Sequence, residues 1–157
     1  MKKIILAVIV VAVLLIIFFL PDGDDTSEME SVFNQVIIAG EGKNLDGVMD
    51  HISLHYRDEY GVTYPVVKNI VKRYFEIYDS FDAGYSDLDV SFNESEKEVN
   101  ALANLDVYVT GIRSDNSIAI WGNEESPDNV TVTLEKSILG DWKIKSVDGI
   151  NIEEIGY

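Results

Sequence analysis

The sequence predicts an α+β fold in which three N-terminal helices pack on one curved antiparallel sheet, preceded by one transmembrane helix. Three observations lead to this prediction. An unbroken apolar run opens the chain, a helical period dominates up to about residue 78, and a two-residue alternation replaces it from Tyr85 onward. Helices followed by a block of strands, rather than alternating with them, are typical of α+β packing.

The opening segment, residues 4–20, is apolar throughout and follows Lys2 and Lys3. As a helix it would extend roughly 25 Å, close to the thickness of the hydrocarbon core of a bilayer. Bulky residues and then Pro21 end the run, whereas a cleaved signal peptide ends in small residues. We therefore expect an uncleaved anchor, with a cleaved signal peptide as the alternative.

The charges beside this run set the expected orientation. Lysines precede it and aspartates follow it, so the positive-inside tendency places the N-terminus in the cytoplasm. The sequence thus predicts a single-pass protein of the inner (cytoplasmic) membrane with its domain in the periplasm or outside the cell. The expected organisation is an anchor at residues 1–20, a linker at residues 21–26 and one folded domain at residues 27–157.

The composition excludes several classes of function. The chain has 12 basic and 28 acidic side chains and a net charge of −16 at pH 7, so we expect no binding to nucleic acid, which relies on Lys and Arg. It has no cysteine, which excludes disulfides, thiolate metal sites, a cysteine nucleophile and a lipidated cysteine. Any attachment to a membrane must therefore come from the peptide itself.

The first two predicted helices are separated by glycines. The first begins near Ser27, whose spacing from Glu30 matches a capping box, and ends at residues 40–42. Asn44 can cap the second, which is short. An apolar stripe runs along each helix, at Met29, Val32, Phe33, Val36 and Ile37 in the first and at Leu45, Val48, Met49 and Ile52 in the second.

The third predicted helix follows a break at Gly61. Thr63 suits the N-cap position and Pro65 suits the first helical turn. Three basic residues, Lys68, Lys72 and Arg73, face away from the apolar stripe. That stripe consists of Val67, Ile70, Val71, Tyr74, Phe75 and Tyr78.

The second half of the chain alternates with the period of half-buried strands. Leu88, Val90 and Phe92 alternate with polar residues, and further strands are predicted at residues 99–110, 118–121, 130–135 and 142–147. The turns between them are short, which favours antiparallel neighbours. In residues 99–110, the face expected to cover the helices is Ala101, Ala103, Leu105, Val107 and Val109, and the outer face is Leu102, Asn104, Asp106 and Tyr108.

Three stretches carry a family resemblance: KNLDGVM from Lys43, HYRDEYGV from His55 and LGDWKI from Leu139. Together they resemble the nuclear transport factor two superfamily, which includes SnoaL-like and ketosteroid-isomerase-like proteins, over about residues 27–150. The resemblance implies three helices in the concave side of a strongly bent sheet, around a cone-shaped cavity. Family members use this cavity for catalysis or only for binding, so the fold alone does not decide the function. The cavity-lining residues implied here are Phe33, Tyr74, Tyr78, Leu105 and Val107.

The resemblance also implies the kinds of partner. A small apolar ligand would occupy the cavity. A protein partner or a second copy of the chain would pair through the outer sheet face, near Asn104, Asp106 and Tyr108. No cofactor is predicted.

An enzyme of this kind needs a base in the apolar cone and a donor that stabilises developing negative charge. Asp58 is the candidate base, because it lies in the loop before the third helix, and Tyr56, Tyr60 and Tyr74 are candidate donors. Asp106 is expected to point away from the cavity by strand parity. The favoured alternative is that Asp58 hydrogen-bonds the backbone of a structural turn.

His51 and His55 have the one metal-like spacing in the chain, since residues i and i+4 share a helical face. A zinc-hydrolase motif would need Glu after the first histidine, where this chain has Ile52. No metal site is therefore predicted, and the two histidines are only weak candidates. A surface or partly packed pair is the favoured interpretation.

The sequence favours a non-catalytic, membrane-anchored, extracytoplasmic binding or interaction domain. The reason is that a cavity-forming pattern comes without a carboxylate on the cavity side of the sheet. The alternative is a SnoaL-like isomerase, dehydratase or hydrolase acting on a small hydrophobic cyclic substrate. An ionisable group buried in the cone beside a tyrosine would favour the enzyme.

Overall fold

A computed structural model describes residues 25–94 and 99–150 of the chain. Three helices come first: α1 (Asp25–Glu41), α2 (Leu45–Met49) and α3 (Tyr64–Ile77). Five strands follow: β1 (Ser80–Glu94), β2 (Val99–Arg113), β3 (Asn116–Trp121), β4 (Asp128–Lys136) and β5 (Trp142–Asp148). This order, with helices packed on an antiparallel sheet, confirms the predicted α+β class.

The predicted anchor at residues 4–20 and most of the predicted linker lie outside the described residues. Membrane attachment and the placement of the domain outside the cytoplasm therefore stay predictions. Within residues 25–94 and 99–150, no helix combines the length and apolarity needed to cross a membrane.

Several element boundaries differ from those predicted. Helix α1 begins at Asp25, two residues before the expected cap. Helix α2 is capped as predicted, because the Asn44 side chain accepts a hydrogen bond from the Gly47 amide at 3.0 Å. It ends at Met49, however, so Ile52 is not on a helix and instead forms a parallel bridge with β5. Strand β1 begins at Ser80 rather than at Tyr85.

The sheet has the order β1-β2-β4-β5, and β3 also pairs with β2. Strands β3 and β4 lie along the same edge of β2, because Val109 pairs with Trp121 and Val107 pairs with Asp128. They act as one long strand interrupted by residues 122–127. Gly122 is required there, since its φ is +48° and a Cβ would lie 2.6 Å from the backbone nitrogen of Asp128.

The two faces of β2 follow the predicted parity through most of the strand. Ala101, Ala103 and Leu105 are buried, whereas Leu102 and Asn104 are exposed. The outer-face polar residues bond within the sheet: Asp106 accepts a hydrogen bond from Asn129 at 2.7 Å, and Asn104 accepts one from Thr131 at 2.8 Å. The proposed pairing of copies through this face stays a prediction.

The interior is filled at one end of the domain, which we call the packed end. This end contains the start of β5, where Trp142 Nε1 donates a hydrogen bond to Glu28 Oε2 at 3.1 Å. The packed end therefore lies beside the first turns of α1. Its side chains are Met29, Val32, Ala101, Ala103, Leu134 and Trp142, all buried.

Candidate ligand-binding cavity

The other end of the domain, which we call the hollow end, encloses a cavity of about 310 Å³. Its wall is formed by the second half of α1, the loop after α2, one face of α3 and the inner face of the sheet. Aliphatic and aromatic side chains dominate this wall. They include Val36 and Ile37 of α1, Val67, Ile70 and Val71 of α3, and Ala83, Tyr85, Leu105, Val107 and Ile120 of the sheet.

Helix α3 forms one side of the cavity and contacts the sheet through Phe75, whose ring centre lies 5.6 Å from that of Phe81 on β1. It carries the apolar stripe that the sequence predicts, yet none of its residues is buried. The stripe residues Val67, Ile70 and Val71 are half-buried and line the cavity. Lys68 and Lys72 are exposed on the opposite side. An amphipathic helix thus faces an open volume rather than a filled core.

The structure places four of the five predicted cavity residues on the wall: Phe33, Tyr74, Leu105 and Val107. Tyr78 does not line the cavity, which corrects the prediction. The reason is that α3 ends at Ile77 and Tyr78 has an extended backbone, so it leaves the helical stripe. Its ring lies against Gly111, where a Cβ would be 2.5 Å away.

The candidate base and its neighbouring tyrosines, Tyr56, Asp58 and Tyr60, all line the cavity. Asp58 Oδ1 accepts hydrogen bonds from the backbone amides of Tyr60 at 3.0 Å and Val62 at 2.9 Å. These are the bonds of a side chain that stabilises its own turn. The structural role that the sequence favours for Asp58 is therefore present, on a carboxylate that also reaches the cavity.

Tyr56 is the most buried of these tyrosines. Burial raises the pKa of its hydroxyl, and the Asp58 carboxylate raises that pKa further, while a hydrogen bond with the Val147 backbone acts in the opposite direction. The hydroxyl thus stays protonated at neutral pH, and its hydrogen bond with the Asp58 side chain also raises the pKa. A tyrosine donor and a carboxylate lie side by side in the cavity wall.

The charged side chains that line the cavity, among the described residues, are Glu41 and Asp58, and both are acidic. Glu41 lies at the end of α1 and accepts a hydrogen bond from the Ala83 amide at 3.3 Å. The pKa of Tyr108, also on the wall, is raised by partial burial and then by nearby carboxylates, those of Asp82, Glu124 and Glu41. The electrostatic environment of the cavity is therefore negative.

Tyr108 also departs from the predicted strand parity, which assigned it only to the outer face. Its ring lies against Gly84 of β1, where a Cβ would come within 2.6 Å of a ring carbon. Because Gly84 has no side chain, the ring can lie against the neighbouring strand and contribute to the wall. Val109, the next residue, lines the cavity as predicted by parity.

His51 and His55 lie beyond the end of α2 at Met49. They therefore do not share a helical face, although their i, i+4 spacing is compatible with one. His55 is exposed and its Nδ1 lies 3.3 Å from Glu135 Oε1. Burial lowers the pKa of His51, and the charge of Lys143 lowers it further. Within the described part of the chain, no three His, Asp or Glu side chains converge in a way that could hold a metal ion.

Among the wall residues that the sequence prediction does not name are Glu41, Ile120 and Trp121. Glu41 follows the apolar stripe of α1 by one turn, and the stripe alone gives no reason to include it. For Trp121 a signal exists, because Gly122 comes directly after it and an isolated glycine in a strand pattern indicates a bulge. The chain bends there, so Trp121 reaches the wall beside Ile120.

No family model matches the chain, and no curated protein matches it significantly. Its structure does resemble solved structures. A candidate scytalone dehydratase from Novosphingobium aromaticivorans superposes with a TM-score of 0.62 at 10% identity, over 78% of this chain and 80% of that one.

ActVI-ORFA from Streptomyces coelicolor superposes with a TM-score of 0.59 at 10% identity, over 78% of this chain and 93% of that one. A Mycobacterium tuberculosis protein of unknown function gives 0.60 at 10% identity, over 78% and 73%. At such identities the likeness concerns the fold alone. The comparisons therefore show that the α+β fold of this chain is shared with these three solved structures.

Proposed function

We propose that the chain is a binding domain for a small, uncharged apolar ligand, held at a membrane by residues 4–20. The observation that carries this proposal is the cavity of about 310 Å³ with an almost wholly apolar wall. Its volume is at the lower end of the range of about 300–1,000 Å³ for small-molecule sites. Burying an apolar ligand there removes both its surface and the wall from water.

The charges of the wall argue against an anionic ligand, and its apolar surface favours a neutral one. Glu41 and Asp58 are both acidic and no described Lys or Arg lines the cavity. An anionic ligand would therefore be buried without a partner of opposite charge, which is strongly unfavourable. A ligand with a single hydroxyl or carbonyl group can still use the Tyr56 hydroxyl.

The role of Asp58 supports binding without catalysis. Its Oδ1 is occupied by the amides of Tyr60 and Val62, and the turn that they form closes the loop before α3. The carboxylate thus has a structural task that accounts for its position. Binding requires nothing further from it.

The test measures binding of N-phenylnaphthylamine, a neutral fluorophore that brightens in apolar surroundings. Because the probe also brightens in empty micelles, its binding to the full chain in detergent is followed by energy transfer from the tryptophans of the chain, among them Trp121 of the wall. We expect this binding to saturate. Val71→Phe projects a ring from α3 into the cavity and is expected to weaken binding about tenfold or more, because it fills the volume that the probe needs. The matched control is Ile38→Phe, since Ile38 is 68% exposed on α1 and does not line the cavity.

Equal loss in both variants, or no loss in Val71→Phe, would contradict the cavity as the binding site. Thermal unfolding of each variant without the probe checks that the fold is intact.

The second candidate is an enzyme that moves a proton on a small hydrophobic cyclic substrate. One observation favours it: the protonated Tyr56 hydroxyl lies beside the Asp58 carboxylate in the cavity wall. Asp58 would take a proton from the carbon next to a carbonyl group, and Tyr56 would donate a hydrogen bond to the oxygen as charge develops. The fold is shared with a candidate dehydratase, which is compatible with this chemistry.

Deuterium exchange separates the two candidates. The full chain is incubated with cyclohexenone in deuterium oxide, and incorporation next to the carbonyl is followed by NMR. If the chain is an enzyme, we expect deuterium incorporation that is lost in Asp58→Asn and kept in Asp50→Asn. Asp50 is the control because it is exposed and does not line the cavity. Incorporation at the rate of free solution in all three proteins would leave ligand binding as the function.

A further inference from the structure

The turn between β4 and β5, residues 137–141, presents two adjacent aliphatic side chains to solvent. Ile138 is 106% exposed and Leu139 is 90% exposed, the highest values among the large apolar residues that the structure describes. Turns of this kind normally carry Gly, Asn, Asp or Ser at such positions. A single exposed aliphatic residue needs no explanation, but two neighbours at the tip of a turn form a small apolar surface.

The backbone of this turn is hydrogen-bonded within itself. The Ser137 carbonyl accepts a hydrogen bond from the Gly140 amide at 2.9 Å, and the Ser137 amide donates to the Asp141 carbonyl at 2.7 Å. The Ser137 hydroxyl also accepts from the amides of Leu139 and Asp141, at 3.3 and 3.2 Å. The tip can therefore leave water without leaving these amides unpaired, which is the main cost of moving a loop into an apolar medium.

The tip lies beside the point where the chain enters the domain. Glu28, in the first turns of α1, accepts the hydrogen bond from Trp142 and pairs with Lys136 at 3.8 Å, and these two residues flank the turn. Residues 21–24 separate the apolar run from Asp25, and four residues span at most about 14 Å. If residues 4–20 cross a bilayer, Asp25 thus lies within about 14 Å of its surface, at the end of the domain that carries this turn.

Charge restricts which part of the domain can touch lipid. The chain carries −16, so an anionic leaflet repels most of its surface. Ile138, Leu139 and Gly140 are uncharged, with Asp141 after them and Lys136 before them. The Lys136 ammonium group lies 5.3 Å from the centre of the Trp142 ring. Trp142 is buried, so the groups available to a membrane interface are the two aliphatic side chains and the lysine, whose stem can lie along apolar surface while its ammonium group stays in water.

We propose that Ile138 and Leu139 insert into the interfacial layer of the membrane that residues 4–20 enter. The insertion gives the domain a second point of contact, so that the packed end faces the lipid and the hollow end faces away from it. This inference rests on the proposed membrane attachment but not on the ligand in the cavity.

The experiment uses the absence of cysteine in the chain, which allows a single label to be attached. The full-length Leu139→Cys variant is labelled with a fluorophore and reconstituted into vesicles of phosphatidylcholine and phosphatidylglycerol that carry nitroxide lipids. We expect the label to be quenched at least about threefold more strongly by nitroxides in the acyl chains than a label at Ile118→Cys. Ile118 is a matched control, because it is 46% exposed and lies on β3 towards the opposite end of the sheet. Ile138→Cys provides an independent second position with the same expectation.

The outcomes separate failure of the tip contact from failure of attachment. A chain that floats with the vesicles while its Leu139 label is quenched only by an aqueous quencher overturns the tip contact alone. A chain that does not float overturns membrane attachment and the tip contact with it. Efficient disulfide formation between Leu139→Cys chains in vesicles would also overturn the proposal, since the tip would then pair with a second copy.

Discussion

The packed end and the hollow end use the same strands but differ in what covers them. On β2, small residues lie in the packed end, where Ala101 and Ala103 are fully buried, and larger ones lie in the hollow end, where Val107 is half-buried. The cavity is therefore not a result of small side chains. Met29, Val32 and Phe33 of α1 are buried in one cluster with the alanines, whereas no residue of α3 is buried. The two ends therefore differ in which helix covers the strands rather than in the side-chain volume of β2.

The largest expected effect comes from truncating a side chain in each end. Leu134→Ala removes a fully buried side chain of the packed end and should lower the free energy of unfolding by about 3 kcal/mol, because a new cavity is left. Val71→Ala enlarges a volume that already exists and should cost about 1 kcal/mol or less. Urea unfolding of the two variants measures the difference. Equal losses would mean that the two ends are packed alike.

An intermediate effect is expected when a side chain is enlarged. Ala103→Leu forces extra atoms into the packed end and should lower the free energy of unfolding by about 2 kcal/mol. Ala83→Leu makes the same change on the neighbouring strand, where the residue lines the cavity, and should leave stability unchanged or raise it slightly. Urea midpoints of the matched pair provide the measurement. A destabilised Ala83→Leu variant would show that the hollow end has no room to fill.

The smallest expected effect on stability concerns Glu135 of β4, which accepts a hydrogen bond from Ser53 in the segment after α2. Burial acts to raise the pKa of Glu135, but hydrogen bonds from Ser53, Lys145 and His55 outweigh it, so the pKa lies below its usual value of 4.5. A lowered pKa in the folded state gives stability that is present above that usual value and is lost as the pH falls through the folded value.

Glu135→Gln should therefore flatten the acid side of the stability curve. Between about pH 6 and pH 3, the unmodified chain should lose roughly 1 kcal/mol more than the variant, as expected for hydrogen bonds to a charged group. Urea unfolding at several pH values gives the two curves. Glu125→Gln, in the exposed interruption between β3 and β4, is the control. Parallel curves for Glu135→Gln and the unmodified chain would show that the contact contributes nothing.

The periodicity of the sequence was sufficient to predict the class of the fold and the inner face of β2. It was not sufficient to predict that no residue of α3 is buried. An apolar stripe indicates which side of a helix leaves water, and that side can meet a filled core or line a cavity. The sequence places Tyr78 on the cavity wall for a related reason. The apolar stripe continues past Ile77, although the helix ends there.

The candidate site shows the same limit of sequence analysis. Asp58 and Tyr56 were identified by residue type and loop position, and both line the cavity. The sequence allows either a structural or a chemical role for Asp58. The choice between them depends on the geometry of the hydrogen bonds that connect Asp58 to its own turn. The positions of the Tyr108 and Trp121 side chains on the cavity wall depend on two glycines, Gly84 and Gly122. The effect of these glycines on neighbouring side chains is visible only in three dimensions.

The absence of buried residues in α3 has a consequence for how molecules exchange with the interior. Lifting this helix from the sheet exposes wall residues that already border the cavity, so the free energy of such a local opening is lower than that of unfolding the whole domain. Because the cavity is already partly open, such an opening widens an existing mouth. We therefore expect the amides of α3 to exchange with solvent hydrogen faster than those of β2.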